Sequence, residues 1–276
     1  MSSTSPASRY DAQNQDLGLG ADGVEETPKS LLRLADLGGR SRAIGLMLKV
    51  NDVIVAVDGD VFHGNGDDLK KRLSQPEPDG EFIDEDEPEI IEFLLTIYRK
   101  GVFFEVVCTG PLGGKLEFEF PDRVETIIES LANHAIFPRQ DYQTFEAYKD
   151  IERKCVLIDQ RESVVPGILP FVWLIENRMW EALLAIVAVY MLTFGIHPFV
   201  FVICYALTCL YFKRGQLVFS RSYAQFQEKQ PWMFLAARSS LEAQLKCREM
   251  DEQCDFDFSQ IAPPRRRRVA AAQVAE

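Results

Sequence analysis

The sequence predicts an α+β fold: a small β-sandwich or barrel with short helices, joined to a two-helix membrane hairpin that a small α/β membrane-proximal module flanks. Three observations predict it. Over the first half of the chain, short runs rich in Val, Ile, Leu and Phe alternate with turns bearing Gly and Asp. Two uncharged runs of fifteen residues follow, Ala182 to Ile196 and Pro198 to Phe212. Strand-like patterns then flank those runs on both sides.

Residues 1–27 are rich in Ser, Gly, Asp and Gln without periodicity and read as a disordered lead. "SLLRLADLGGRSRAIGLML" gives a strand, a turn at Gly38-Gly39 and a small apolar element ending at Leu48. Val53 to Val57 is almost wholly β-branched and runs into Asp58-Gly59, a strand followed by a tight turn. Leu69 and Leu73, four apart in "GDDLKKRLSQ", fit one face of a two-turn helix. The stretch from Gln75 to Glu92 carries nine carboxylates, three prolines and no basic residue, which predicts an extended acidic loop. It lacks the carboxylate spacing of a calcium loop. Strands resume at "FLLTIYRKGVFFEVVCTG", with a hairpin turn at Arg99-Lys100-Gly101, and at "KLEFEF", closing a small sheet by residue 120.

Residues 121–165 are expected to hold a helix and two membrane-proximal strands, the latter in "FEAYKDIERKCVLI". A membrane hairpin is predicted over 166–215. Each fifteen-residue run spans about 22 Å as a helix, so crossing a hydrocarbon core of about 30 Å requires both helices to extend past their runs. A re-entrant wedge and a helical hairpin buried in a soluble core are the alternatives. Trp173, Arg178, Trp180, Lys213 and Arg214 are placed at the membrane interface, and the Lys and Arg residues flank the hairpin while its turn has neither, so both termini face the cytoplasm. Phe219, Tyr223 and Phe226 recur at helical spacing and suit a helix grazing the bilayer or packing on the protein itself. "WMFLAA" reads as a strand, and Ser239-x-x-Glu242 as a capping box opening a helix, which completes a module over 216–254. Residues 255–276, with Arg265 to Arg268, read as a disordered basic tail.

Charge narrows the partners. From Lys213 onward there are 11 basic and 8 acidic residues, whereas 1–212 hold 19 and 34, so the acidic excess is N-terminal. This argues against nucleic acid and for membrane lipids beside the later segment. Without a basic and apolar leader, the soluble part is expected to stay in the cytoplasm, with all six cysteines reduced. No Cys-x-x-Cys, His-Glu-x-x-His, Gly-x-Ser-x-Gly or Walker pattern occurs, so no catalytic residue, metal or cofactor is expected.

"AIGLMLKVNDVIVAVDGDVFHGNGDDLKKRL" resembles the middle of a bacterial PDZ domain. Gly45-Leu46, Asn51-Asp52, Val53 to Val57 and Asp58-Gly59 stand at the family's motif positions, with Asn51 replacing the usual Gly. The resemblance covers about 28–120. It implies a groove in which a partner's C-terminus adds as a strand beside a helix, its carboxylate held by backbone N–H groups of a loop. Leu31, Leu32 and Leu34 on the strand and Leu69 and Leu73 on the helix are the groove candidates, with "DGVEETPKS" in the place of the loop. Residues 155–250, through "GILPFVWLIENRMWEALL" and "FLAARSSLEAQL", resemble an uncharacterised bacterial membrane-domain family with a helical hairpin. The expectation is a non-catalytic interaction or scaffold protein tethered to the inner membrane, with a protein partner. The alternative is an accessory or regulatory subunit of a membrane enzyme or transporter, held through the hairpin.

Overall fold

The computed structural model describes residues 30–74 and 91–264. The lead at 1–27, the loop expected at "DGVEETPKS" up to Lys29, nearly all of the acidic segment 75–92 and Arg265 to Arg268 lie outside the described residues.

The fold is mixed α and β, with one large open sheet. Strands β1 (Leu32–Asp36), β2 (Val53–Val57), β3 (Asp60–Val61), β4 (Phe93–Arg99), β5 (Val102–Cys108) and β6 (Lys115–Phe118) come first. They alternate with the short helices α1 (Arg42–Gly45) and α2 (Gly66–Arg72). Helix α3 (Pro121–Leu131) leads to β7 (Gln143–Lys149) and β8 (Lys154–Asp159). Four helices follow, α4 (Val165–Ile168), α5 (Pro170–Glu176), α6 (Trp180–Ile196) and α7 (Pro198–Phe226). Strand β9 (Gln230–Ala237), helix α8 (Ser240–Met250) and strand β10 (Asp255–Phe256) complete the described chain.

The ten strands form one sheet in the order β10-β8-β7-β9-β5-β4-β2-β1-β6, with β3 paired to β2. A separate sheet closing by residue 120 is therefore not what forms: β5 continues into β9, with Glu105 opposite Ala236. The reason is visible in β5 itself. Phe103, Phe104, Val106 and Val107 bury both of its faces, and a strand apolar on both faces needs neighbours on both edges. One face of the sheet packs Leu32, Leu34, Ile54 and Phe104 under α1, α2 and α8, while the other packs Val53, Val55 and Phe103 under α3.

Local chemistry explains the first half. Lys100 and Gly101 both have positive φ, as a two-residue hairpin turn requires. Asn65 caps α2 by accepting from the Asp67 and Asp68 amides, and Asp68 returns a bond to the Asn65 amide. The turn before β2 is held from inside. Asp52 is 1% exposed and accepts from Arg99 Nε at 2.7 Å, Arg99 Nη2 at 2.5 Å and the Lys49 amide at 2.6 Å. Burial, and then the Arg99 charge, hold the Lys49 ammonium below its ordinary value.

Several expectations change in the second half. Ser239 caps α8 through the Glu242 amide, but Glu242 accepts from the Arg238 amide rather than from Ser239, so the box is displaced by one residue. Residues 216–226 are no separate helix at a surface; they continue α7 without a break. Residues 255–264 belong to the folded protein, since β10 pairs parallel with β8 and Phe256 is buried. That pairing brings together Cys155 and Cys254, 99 residues apart, and the two form a disulfide, contrary to the expectation of six reduced thiols. Cys108 and Cys247 are free and buried.

Helices α6 and α7 meet at His197, whose Nδ1 accepts from the Phe199 amide and caps α7. They pack side by side through Tyr190 against Phe201, ring centroids 5.6 Å apart, and against Tyr205 at 5.7 Å. Among the described residues α7 is the one helix long and apolar enough to cross a membrane, and α6, with 17 residues, is a shorter apolar helix. Their outward side chains, among them Leu184, Met191, Leu192, Phe199 and Leu207, are exposed. Arg221, one turn before the end of α7, reaches Glu146 on β7 with two guanidinium nitrogens and so fixes the long helix to the sheet.

Candidate functional site

Strand addition needs a free edge, and β1 has none. It pairs with β2 on one side and with β6 on the other. The expected groove beside residues 31–34 is therefore already filled by the protein's own β6. Leu32 and Leu34 point into the main core, and Leu31 lies on the opposite face beneath α3. All three are at most 1% exposed, so none can meet a ligand.

The free edge is displaced by one strand. Among the described residues β6 ends the sheet, and alternate N–H and C=O groups along it point away from β1. α2 runs beside it, close enough that a Cβ on Gly66 would sit 3.4 Å from Leu116 Cβ. Between helix and strand lies a cleft of about 500 Å³ with Leu69, Leu73, Leu112 and Leu116 in its walls. The two helix positions predicted from sequence are thus at the cleft. At 1% and 2% exposure they form its floor as part of the core rather than an open surface.

The chain enters β6 through Gly110-Pro111-Leu112-Gly113-Gly114. Gly110, Gly113 and Gly114 have φ of +122°, +72° and +84°. At Gly114 only glycine fits, because a Cβ would stand 2.6 Å from the Asp36 carbonyl oxygen. Among the described residues, the amides of Leu112, Gly113 and Gly114 donate no hydrogen bond. Three successive N–H groups without a partner among the described residues make, in such a turn, a concavity suited to an anion. Beneath it, Arg42 Nη1 donates to the Thr109 carbonyl oxygen, which brings a guanidinium to the loop. Arg42 has no carboxylate partner among the described residues. The arrangement can hold an extended backbone at the edge, an apolar side chain in the cleft and a carboxylate at the loop.

The sequence reading missed this loop. Its signal was present in "GPLGGK", a glycine-dense turn directly before an alternating strand.

The interface residues also sort themselves. Arg178, Trp180, Lys213 and Arg214 are exposed at the base of the helix pair. Trp173 is not: it is 7% exposed and packs on Phe212 and Phe219, with centroids 5.7 and 6.1 Å away. Its ring is large enough to seed a small core where α5, α6 and α7 meet. No group of His, Cys, Asp and Glu arranged to hold a metal occurs among the described residues. His134, instead, lies against the buried Glu105 with Nε2 2.5 Å from Oε1.

Comparison of the chain with protein-family models, with curated proteins and with solved structures returns no match.

Proposed function

We propose that the chain is a non-catalytic interaction protein, tethered to the inner membrane by α6 and α7, that captures the C-terminal end of a partner polypeptide at β6. The PDZ resemblance supplies the kind of ligand, and the groove is assigned to α2 and β6 in place of α2 and β1. The observation that carries this reading is the edge of β6, free among the described residues and entered through a loop whose amides have no partner among them, beside a cleft partly lined by leucines. A bound peptide would extend the sheet antiparallel to β6, place its last side chain against the half-buried Leu116, and set its carboxylate on the Leu112 to Gly114 amides. An apolar terminal residue is preferred on the side of the cleft lined by Leu112 and Leu116, while Asn65, Asp67, Lys70 and Lys115 line its polar side.

The membrane reading rests on a 29-residue α7 and on the exposed apolar surface of both helices, which water would leave unpaid for and lipid would cover. Exposed Arg178, Lys213 and Arg214 at the base favour a cytoplasmic sheet with both termini on the same side. The alternative, an accessory subunit held by its hairpin, is favoured by one feature, an apolar cleft of about 620 Å³ between α6 and α7.

The test is an array of heptapeptides with free C-terminal carboxylates and with C-terminal amides, probed with the full chain in mild detergent. Binding confined to free carboxylates with apolar last residues, and lost in Leu116→Lys, which places a charge at the half-buried wall of the cleft, is expected. Equal binding of the amides would remove the carboxylate loop from the account.

A further inference from the structure

A second cavity lies where the helix pair meets the sheet, and its chemistry is unlike that of the leucine cleft. It encloses about 700 Å³ between β8, the 256–258 segment, the elbow joining α5 to α6 and the face of α7 that carries Ser220 and Tyr223. Three cations line it. Lys229, 5% exposed, is neutralised by Asp257 at 2.6 Å and also donates to Gln227 at 2.6 Å. Lys154 pairs with Glu152 at 3.2 Å.

Arg178 is different. Its side chain has no hydrogen-bond or ion-pair partner among the described residues, and its guanidinium carbon stands 4.9 Å from the centre of the Phe258 ring. Its φ is +51°, the left-handed region that a residue with a Cβ adopts at a conformational cost. A guanidinium stacked on an aromatic ring at the rim of a cavity, without a counter-ion among the described residues, is placed for a ligand. Glu176, two residues earlier in the same wall, is likewise without an ion-pair partner among the described residues. Trp180, 53% exposed, borders the cavity at the first turn of apolar α6.

We propose that this cavity binds the headgroup of a zwitterionic aminophospholipid. The planar fork of Arg178 takes the phosphate, and the Glu176 carboxylate takes the ammonium. The acyl chains run along Trp180 and the exposed side of α6. One cation, Arg178, and two carboxylates, Glu176 and Asp150, line the cavity without an ion-pair partner among the described residues, which suits a zwitterion with an ammonium better than a bare anion, and the position at the start of an apolar helix is the depth of a headgroup. The inference rests on the membrane reading given above.

The experiment uses the full chain in non-ionic detergent and native mass spectrometry, with dihexanoyl phosphatidylethanolamine as the probe and inorganic phosphate as competitor. The variant is Arg178→Gly, which suits a positive φ and so removes the guanidinium without straining the elbow. A melting temperature no lower than that of the wild type confirms its fold. One bound lipid on the wild type, at least tenfold weaker binding by Arg178→Gly, and no displacement by equimolar phosphate are expected. Unchanged binding by Arg178→Gly, or displacement of the lipid by equimolar phosphate, would overturn the assignment. Binding of this soluble lipid does not depend on whether α6 and α7 cross a bilayer, so its failure is distinct from extraction of the chain from membranes by carbonate.

Discussion

Replacing Arg99 with Met strands the Asp52 carboxylate inside the protein. Asp52 side-chain exposure is 1% and that of Arg99 is 9%, so water has little access to either group. The carboxylate now accepts two guanidinium bonds, at 2.7 and 2.5 Å, and one from the Lys49 amide at 2.6 Å. Arg99 also donates to the Met47 carbonyl at 3.1 Å and lies over Phe104, 4.9 Å from the ring centre. Removing one partner of a buried pair costs about 3–5 kcal/mol, because the other charge is left uncompensated. The amide bond from Lys49 survives and Met keeps the contact with Phe104, which places the loss near the lower end, about 3 kcal/mol. A domain of this size shifts by about 2–4 °C per kcal/mol, so the melting temperature in mild detergent should fall by roughly 10 °C. The double variant Arg99→Met with Asp52→Asn removes the stranded charge and should be more stable than Arg99→Met alone. A single variant within about 1 kcal/mol of the wild type, or a double variant less stable than the single, would refute the claim that the pair is dry and holds this turn.

Other outcomes follow from the same geometry. Gly114→Ala sets a Cβ 2.6 Å from the Asp36 carbonyl oxygen at φ +84°, and should cost about 2 kcal/mol or more in thermal melting while weakening peptide capture. Burial pushes the Cys108 and Cys247 thiols up to about 12, so both should resist alkylation at pH 8 in the native chain and react once it is denatured. A raised thiol pKa favours the folded state only while the unfolded thiol stays protonated. That contribution is therefore intact below the ordinary value of 9.0 and lost as pH climbs toward about 12, so stability should fall over that window. Reporter fusions at positions 150 and 250 should both read cytoplasmic, and carbonate should leave the chain in the membrane pellet; extraction would remove the tether from the account.

Local pattern was enough where local chemistry decides the structure. β2 with its Asp58-Gly59 turn, the β4–β5 hairpin, α2 behind Asn65 and the β7–β8 hairpin are each set by propensity, turn residues and alternation within a dozen positions. What escaped is pairing at a distance. β6 closes on β1 across 84 residues, Arg33 to Glu117, and this contact alone moves the free edge from one strand to the other. Nothing near Leu31 to Leu34 records that its edge is taken. The joining of β5 to β9 and the meeting of Cys155 with Cys254 have the same origin, since both are set by strand order rather than by spacing. Trp173 illustrates a different ambiguity. A Trp at the entry to an apolar run suits a membrane interface and a small core equally, and only the positions of Phe212 and Phe219 on α7 decide it.

Hydrogen exchange of the full chain in mild detergent, with and without a C-terminal heptapeptide selected on the array, tests the groove most directly. Capture at the edge predicts slowed exchange of the Leu112, Gly113 and Gly114 amides and of the outward amides of β6, with β1 unchanged because both its edges are already paired. The same peptide ending in an amide should leave all of them exchanging as in the free protein. Protection elsewhere on the sheet with β6 and its loop unaffected would contradict the account.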